Sequence, residues 1–191
     1  MIHLDADEIA REVSARPKIK RAISEGFPEA VDRSGKIDRA RLAQRVFEDP
    51  SALEELEAIV HPPIRREIVD ALQRAEAPWV LLDAPLLQES GADTLCDAVI
   101  YVACPARIRR ARAKRDRGWT ADEYAAREAH QWSCRRKRAH ADHAVDNSGD
   151  LERTRGSLKT LLDGIERDVG PRKGRKTTRI SKRANREPRG K

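Results

Sequence analysis

The stretch WVLLDAPLLQESG, residues 79–91, decides the fold. Trp79, Val80, Leu81 and Leu82 form a short apolar run with aromatic and β-branched members, the pattern of a strand covered on both faces. Asp83 then falls at the strand's carboxyl end. Residues 98–103, AVIYVA, repeat the pattern, and helical stretches separate the two runs. That alternation predicts a parallel α/β sheet with ligands at the carboxyl ends of its strands. Upstream, Ile2, His3 and Leu4 run into Asp5 and read as the end of a further strand.

Working outward, residues 39–47 are amphipathic, with Leu42, Val46 and Phe47 on one face. Asp49-Pro50 is a helix start: Asp at the N-cap, and Pro where no amide partner is lost. That helix is predicted to bury Leu53, Leu56, Ile59 and Val60 and to stop at Pro62-Pro63. A next helix should carry Ile64, Ile68, Val69 and Leu72 on one face. Thr120 with Glu123 is a capping box that opens a charged helix running to about Gln131. The last helix begins near Leu151, with Leu158, Leu161, Leu162 and Ile165 inward. No internal repeat is present.

Composition narrows the class. The chain has 191 residues and a net charge of +7, enough length for one domain with a real core. The charge is uneven. Residues 171–191 hold ten Lys or Arg and one acid, a net +9, which leaves −2 for residues 1–170. The tail has no apolar period and is predicted to be disordered, so the domain is expected to span 1–169 and the basic tail 170–191. Cys96, Cys104 and Cys134 are odd in number and lack CxxC spacing, which argues against a disulfide framework or a zinc site. With no membrane-length apolar run and no signal-peptide layout, a cytoplasmic protein is expected.

Several groups of residues could carry chemistry. Asp5 and Asp7 follow the first strand and share a face while the chain stays extended. A carboxylate there could orient a nucleophile and take its proton. Asp7 could equally cap the helix that begins at Glu8. Arg11, one turn on, could meet a substrate phosphate or form a surface ion pair. His61, at a predicted helix end, can bond the last free carbonyls. Asp83 stands where an acid could hold a metal ion, whereas Leu86 and Leu87 read as core. The run IRRARAKRDR, residues 108–117, is a basic helix, and such charge is usually solvated. Asp146-Asn147-Ser148-Gly149 makes a turn after a short strand, with or without a function.

Taken together, DADEIARE (5–12), HPPI (61–64), LLDAPLLQESG (81–91) and ADHAVDNSG (141–149) form an ordered set. In order and spacing they resemble dephospho-coenzyme A kinase, over roughly residues 2–165. Each motif is weak singly; the set is specific. The resemblance implies a P-loop NTPase fold of the nucleoside-monophosphate-kinase type, with a helical lid at about 107–137. It implies ATP and dephospho-CoA as substrates, Mg²⁺ as cofactor, and phosphorylation of the ribose 3′-hydroxyl as the reaction. Carried over residue by residue, Asp7 matches the catalytic base, and Asp5 and Arg11 its substrate-side neighbours. His61 borders the acceptor pocket, as do Asp83 and Leu86. Asp83 also matches the acid that holds magnesium, directly or through water. A lid arginine should swing over the phosphates; alignment on Ile108 selects Arg110, whereas counting back from Arg115-Asp116 points near Arg112. Gln131 and Lys137 repeat a family spacing, so Lys137 and Asn147 are the nucleotide-side candidates. The family places an aromatic where Gln88 stands, which weakens one wall of the acceptor pocket.

The set lacks one member. A Walker A loop needs Gly, four residues, then Gly-Lys-Ser/Thr. Ser34-Gly35-Lys36 has no first glycine or preceding strand. Gly170 and Gly174 are one residue too close, with Arg175 before Lys176. The resemblance places the first strand, the phosphate loop and the first helix ahead of Met1. An upstream extension is therefore expected, and the 191-residue form is expected to be inactive without it. Three other readings compete: a non-catalytic relic that binds a CoA-like ligand, another small-molecule P-loop kinase, and a protein whose tail contacts nucleic acid. The tail at 171–191 could bind weakly and without sequence preference through counterion release, but it has no aromatic residue for stacking.

Overall fold

A computed structural model describes residues 1–169; the basic tail lies outside the described residues. The chain divides into two compact units, Met1–Pro85 and the part from Leu86 onward.

In the first unit, β1 (Ile2–Asp5) pairs in parallel with β2 (Val80–Asp83), in register from Ile2↔Val80 to Asp5↔Asp83. A parallel pair needs a long crossover, and four helices supply it. They are α1 (Ala6–Ala15), α2 (Pro17–Gly26), α3 (Arg39–Glu48) and α4 (Pro50–Arg74). Short acids start three of them. Asp5, Asp38 and Asp49 each accept backbone N–H bonds at the N-caps of α1, α3 and α4. The core is Ile23, Phe27, Ala30 and Ala52, with Leu42, Val46, Leu56 and Ile59 packed around it. Phe27 is the largest fully buried side chain, and truncating such a ring to alanine costs about 3–5 kcal/mol.

Two sequence expectations fail in this unit. Pro62 and Pro63 do not end a helix; α4 runs through them to Arg74. Two amide donors are lost there. Packing of α4 against α1, α2 and α3 holds the helix together across the gap. Consequently His61 sits in mid-helix rather than at a terminus. Phe47, expected inward with Leu42 and Val46, is 64% exposed. Residues 46 and 47 are neighbours, about 100° apart around a helix, and the core takes only Val46.

In the second unit β3 (Ile100–Ala103) pairs in parallel with β4 (His143–Asp146). Between them lie α5 (Ala106–Arg117), α6 (Ala121–Ala129) and α7 (Cys134–His140), the last a helix that the sequence reading missed. Gly118 ends α5 at φ +68°, a left-handed conformation that glycine takes without strain. The capping box at Thr120 and Glu123 forms in both directions. Helix α8 (Leu151–Val169) packs on β4 and buries Ile165.

The parallel α/β character is thus as expected, but the described strands form two separate pairs rather than one sheet. Leu81 and Val102 are 45% and 54% exposed. The expectation of strands covered on both faces therefore fails at these two positions. The three cysteines are free. No described helix is long and apolar enough to cross a membrane.

Candidate functional site

The first group of candidates gathers at the carboxyl end of β1 and β2. Asp5 and Asp83 are direct partners across the pair, so their side chains leave the same face of the sheet. Asp5 is also the cap of α1: one carboxylate oxygen accepts from the Asp7 N–H at 2.8 Å and the Glu8 N–H at 3.0 Å. The capping role considered for Asp7 therefore belongs to Asp5. The chain turns helical at Ala6, so strand alternation does not relate Asp5 to Asp7. Asp7 stands exposed in the first turn of α1, where the helix dipole favours a negative charge. Asp83 is exposed as well, with the His3 ring nitrogen 3.7 Å from its carboxylate. His3 escaped the sequence reading, because only the register of β1 on β2 shows that it faces Asp83.

Arg11 lies exposed one turn beyond Asp7 on α1. His61 is half-buried on α4, the helix that packs against α1. The three acids and Arg11 thus share the β1–α1–β2 end, while His61 sits on the helix behind them.

The second group belongs to the unit that starts at Leu86. Leu86 opens the turn after Pro85 and is 40% exposed, not core. Gln88 is buried, and its side-chain amide donates to the Lys137 carbonyl at 3.0 Å. Lys137 itself is engaged: its ammonium lies 3.0 Å from Glu89 and donates to the Gln131 side-chain oxygen at 2.8 Å.

Asn147 follows β4, and its N–H donates to the Ala103 carbonyl at 2.7 Å. Asp146 accepts from both the hydroxyl and the backbone N–H of Ser148 at 2.9 Å, which holds its carboxyl below the usual range. Thr154 on α8 donates toward the Asn147 side-chain oxygen at 3.3 Å. The clamp on this turn is Arg112 of α5, which donates to the carbonyls of Asn147 at 2.9 Å and Gly149 at 3.2 Å.

The two registers left open for the lid arginine now differ in surroundings. Arg112 is committed to the turn. Arg110 is exposed, its guanidinium 5.6 Å from the ring centre of Tyr124. Arg109, which the sequence did not single out, ties α5 to α6. It donates to Cys104 O at 2.6 Å and to the Tyr124 hydroxyl at 3.0 Å, and it pairs with Glu128. Burial works against the Arg109 charge, but its bonds to Tyr124 and Glu128 outweigh that and raise its pKa. Burial, with a hydrogen bond to the Cys134 thiol, pushes the Tyr101 hydroxyl up to about 12.

Known proteins resemble the chain along most of its length. The dephospho-CoA kinase family profile matches residues 1–153. A dephospho-CoA kinase of Deinococcus radiodurans is 41% identical over 167 residues, covering 85% of this chain and 80% of its relative. One of Thermus thermophilus is 39% identical over 159 residues, covering 83% and 77%. Among solved structures, TT1252 from Thermus thermophilus superimposes with a TM-score of 0.75 at 36% identity, covering 86% of this chain and 84% of that one. The dephospho-CoA kinase from Campylobacter jejuni, at 23% identity and a TM-score of 0.58, shares the fold over 88% of this chain and 87% of its own. An acid-lined strand end, an arginine-clamped turn and matches of this extent together show that the chain belongs to the dephospho-CoA kinase family.

Proposed function

We propose that the protein transfers the terminal phosphoryl group of ATP to the ribose 3′-hydroxyl of dephospho-CoA, giving coenzyme A. The observation that carries this reading is the β1–β2 end: an exposed Asp7 in the first turn of α1, beside two acids on paired strands. Transfer to a hydroxyl needs a carboxylate to orient the nucleophile and accept its proton, and electrostatics supplies most of the rest. Asp7 takes that role. Its exposure leaves it accessible to a substrate hydroxyl, while Asp5 fixes the turn that presents it. Arg11 and His61 are the acceptor-side candidates of the first unit, and the exposed Leu86 is that of the second.

Two acids on neighbouring strands suit Mg²⁺, a hard cation that takes one or two carboxylates and completes its shell with phosphate oxygens and water. Among the described residues no cluster of three or more His, Cys, Asp or Glu could hold a metal ion by itself. Asp83 would hold the ion, directly or through water, and its charge would offset that of the phosphates. On the nucleotide side, Asn147 faces the base from a turn that Arg112 holds in shape. Arg110 serves as the mobile lid arginine, because its exposed guanidinium rests against the Tyr124 ring face rather than in a salt bridge among the described residues. Lys137 contributes through the structure it holds, since its ammonium is already paired.

The test is formation of coenzyme A from dephospho-CoA and Mg·ATP, followed chromatographically. The sequence carries no Walker A loop, so the 191-residue chain and a form extended upstream in the reading frame are both assayed. Coenzyme A formation by either form, abolished by Asp7→Asn, supports the reading. Ligand binding without turnover in both forms would favour a non-catalytic relic.

A further inference from the structure

Residues 130–133 join α6 to α7, and a single carboxylate oxygen holds both this junction and α7. Glu89 Oε1 accepts from the Trp132 backbone N–H at 2.8 Å and lies 3.0 Å from the Lys137 ammonium. Gln131 and Gln88 brace Lys137 from its side chain and its carbonyl. The two charged side chains are only 15% and 16% exposed. Glu89 Oε2 is buried and accepts no hydrogen bond from the described residues. This arrangement is not the most stable one available. A buried acceptor left unsatisfied costs stability, and an apolar pair of similar volume often does better than a buried ion pair.

What the pair does supply is a fixed post. Arg109 ties α5, the helix carrying Arg110, to Tyr124 and Glu128 on α6. Glu89 then ties the residues just after α6 to the turn that follows β2. Polar bonds therefore link the helix of Arg110 to α6, and the residues just after α6 to Glu89.

We propose that Glu89 is a positioning residue for phosphoryl transfer. It anchors the α6–α7 junction, and through Arg109 it sets where α5 presents Arg110, with Lys137 as its counter-charge. The inference rests on the kinase reading above. It assigns the near-isosteric substitution Glu89→Gln a specific effect, because glutamine removes the charge that faces Lys137 and leaves only a weaker, neutral acceptor for Trp132.

Hydrogen exchange on the full chain reads the anchor directly. In Glu89→Gln the Trp132 amide should exchange about tenfold faster, while the Val145 and Ile165 amides keep their protection. Unchanged protection at Trp132, or equal acceleration at all three, overturns the proposal. Kinetics reads the consequence. Glu89→Gln should lower kcat about tenfold with KM for dephospho-CoA moved less than about twofold. The double variant Glu89→Gln, Lys137→Met removes both charges, so it should regain stability without regaining kcat. If kcat returns with stability, Glu89 is structural only and the proposal fails. Failure of both forms assayed above to make coenzyme A sinks the kinase reading, whereas the Trp132 amide still decides the anchor.

Discussion

The carboxyl ends of the two strand pairs are built on opposite plans. At β1–β2 the groups assigned to chemistry are exposed: Asp7 and Asp83 reach outward, and only Asp5 is bound into the fold as a cap. At β3–β4 the polar groups are spoken for. Asp146 is held by Ser148, and Asn147 by Ala103 and Arg112. The difference teaches that a carboxylate meant to meet a hydroxyl must keep its lone pairs available. A turn meant to hold a flat base needs a fixed backbone instead. Reactive groups are few and open, and the groups that place them are many and closed.

That contrast can be broken at its strongest point first. Asp7→Asn should lower kcat about a thousandfold while leaving KM and the folded structure nearly unchanged, measured by steady-state kinetics in the active form and by circular dichroism. A large loss of stability would show that Asp7 belongs with the closed groups. Asp83→Asn should raise the Mg²⁺ concentration for half-maximal activity about tenfold, read from a magnesium titration. An unchanged titration would remove Asp83 from the metal side.

Arg112→Met sharpens the other half of the comparison. It frees the Asn147 and Gly149 carbonyls, and KM for ATP should rise about fivefold with a smaller change in kcat. A collapse of kcat at constant KM would instead make Arg112, not Arg110, the arginine that meets the phosphates.

The smallest effect concerns a carboxylate that does neither job. The Ser51 hydroxyl, then Arg45, hold Asp49 well below its ordinary value of 3.8. A depressed folded pKa stabilises the protein above that ordinary value, and the contribution is lost as the pH falls below it toward the folded pKa. Asp49→Ala should lower Tm by a few degrees at pH 7. The gap from wild type should narrow on titration below about pH 4. A gap that stays constant with pH would mean that the cap acts without its charge.

Much of the candidate site was legible in the sequence because its signals are local. Asp83 at the end of an apolar run, the Asp-Asn-Ser-Gly turn after a short strand, and the Thr120–Glu123 capping box each depend on neighbours within a few residues. Their chemistry travels with the chain. Failures came where distant contacts outweigh local preference. Pro62-Pro63 signals a helix end, yet α4 continues because its packing offsets two missing hydrogen bonds. Asp7 could have capped a helix starting at Glu8, but α1 starts at Ala6 and Asp5 caps it, accepting from the Asp7 and Glu8 N–H groups.

By itself the sequence determined the parallel α/β class, the acids at the strand ends and the family, since residue type and short spacing encode all three. Only the tertiary structure decided which acid caps and which stays open, which arginine grips the turn, and where Glu89 meets Lys137. The last two outcomes depend on residues 35 and 48 positions apart being brought within hydrogen-bonding distance, and such separations leave no periodic trace along a chain.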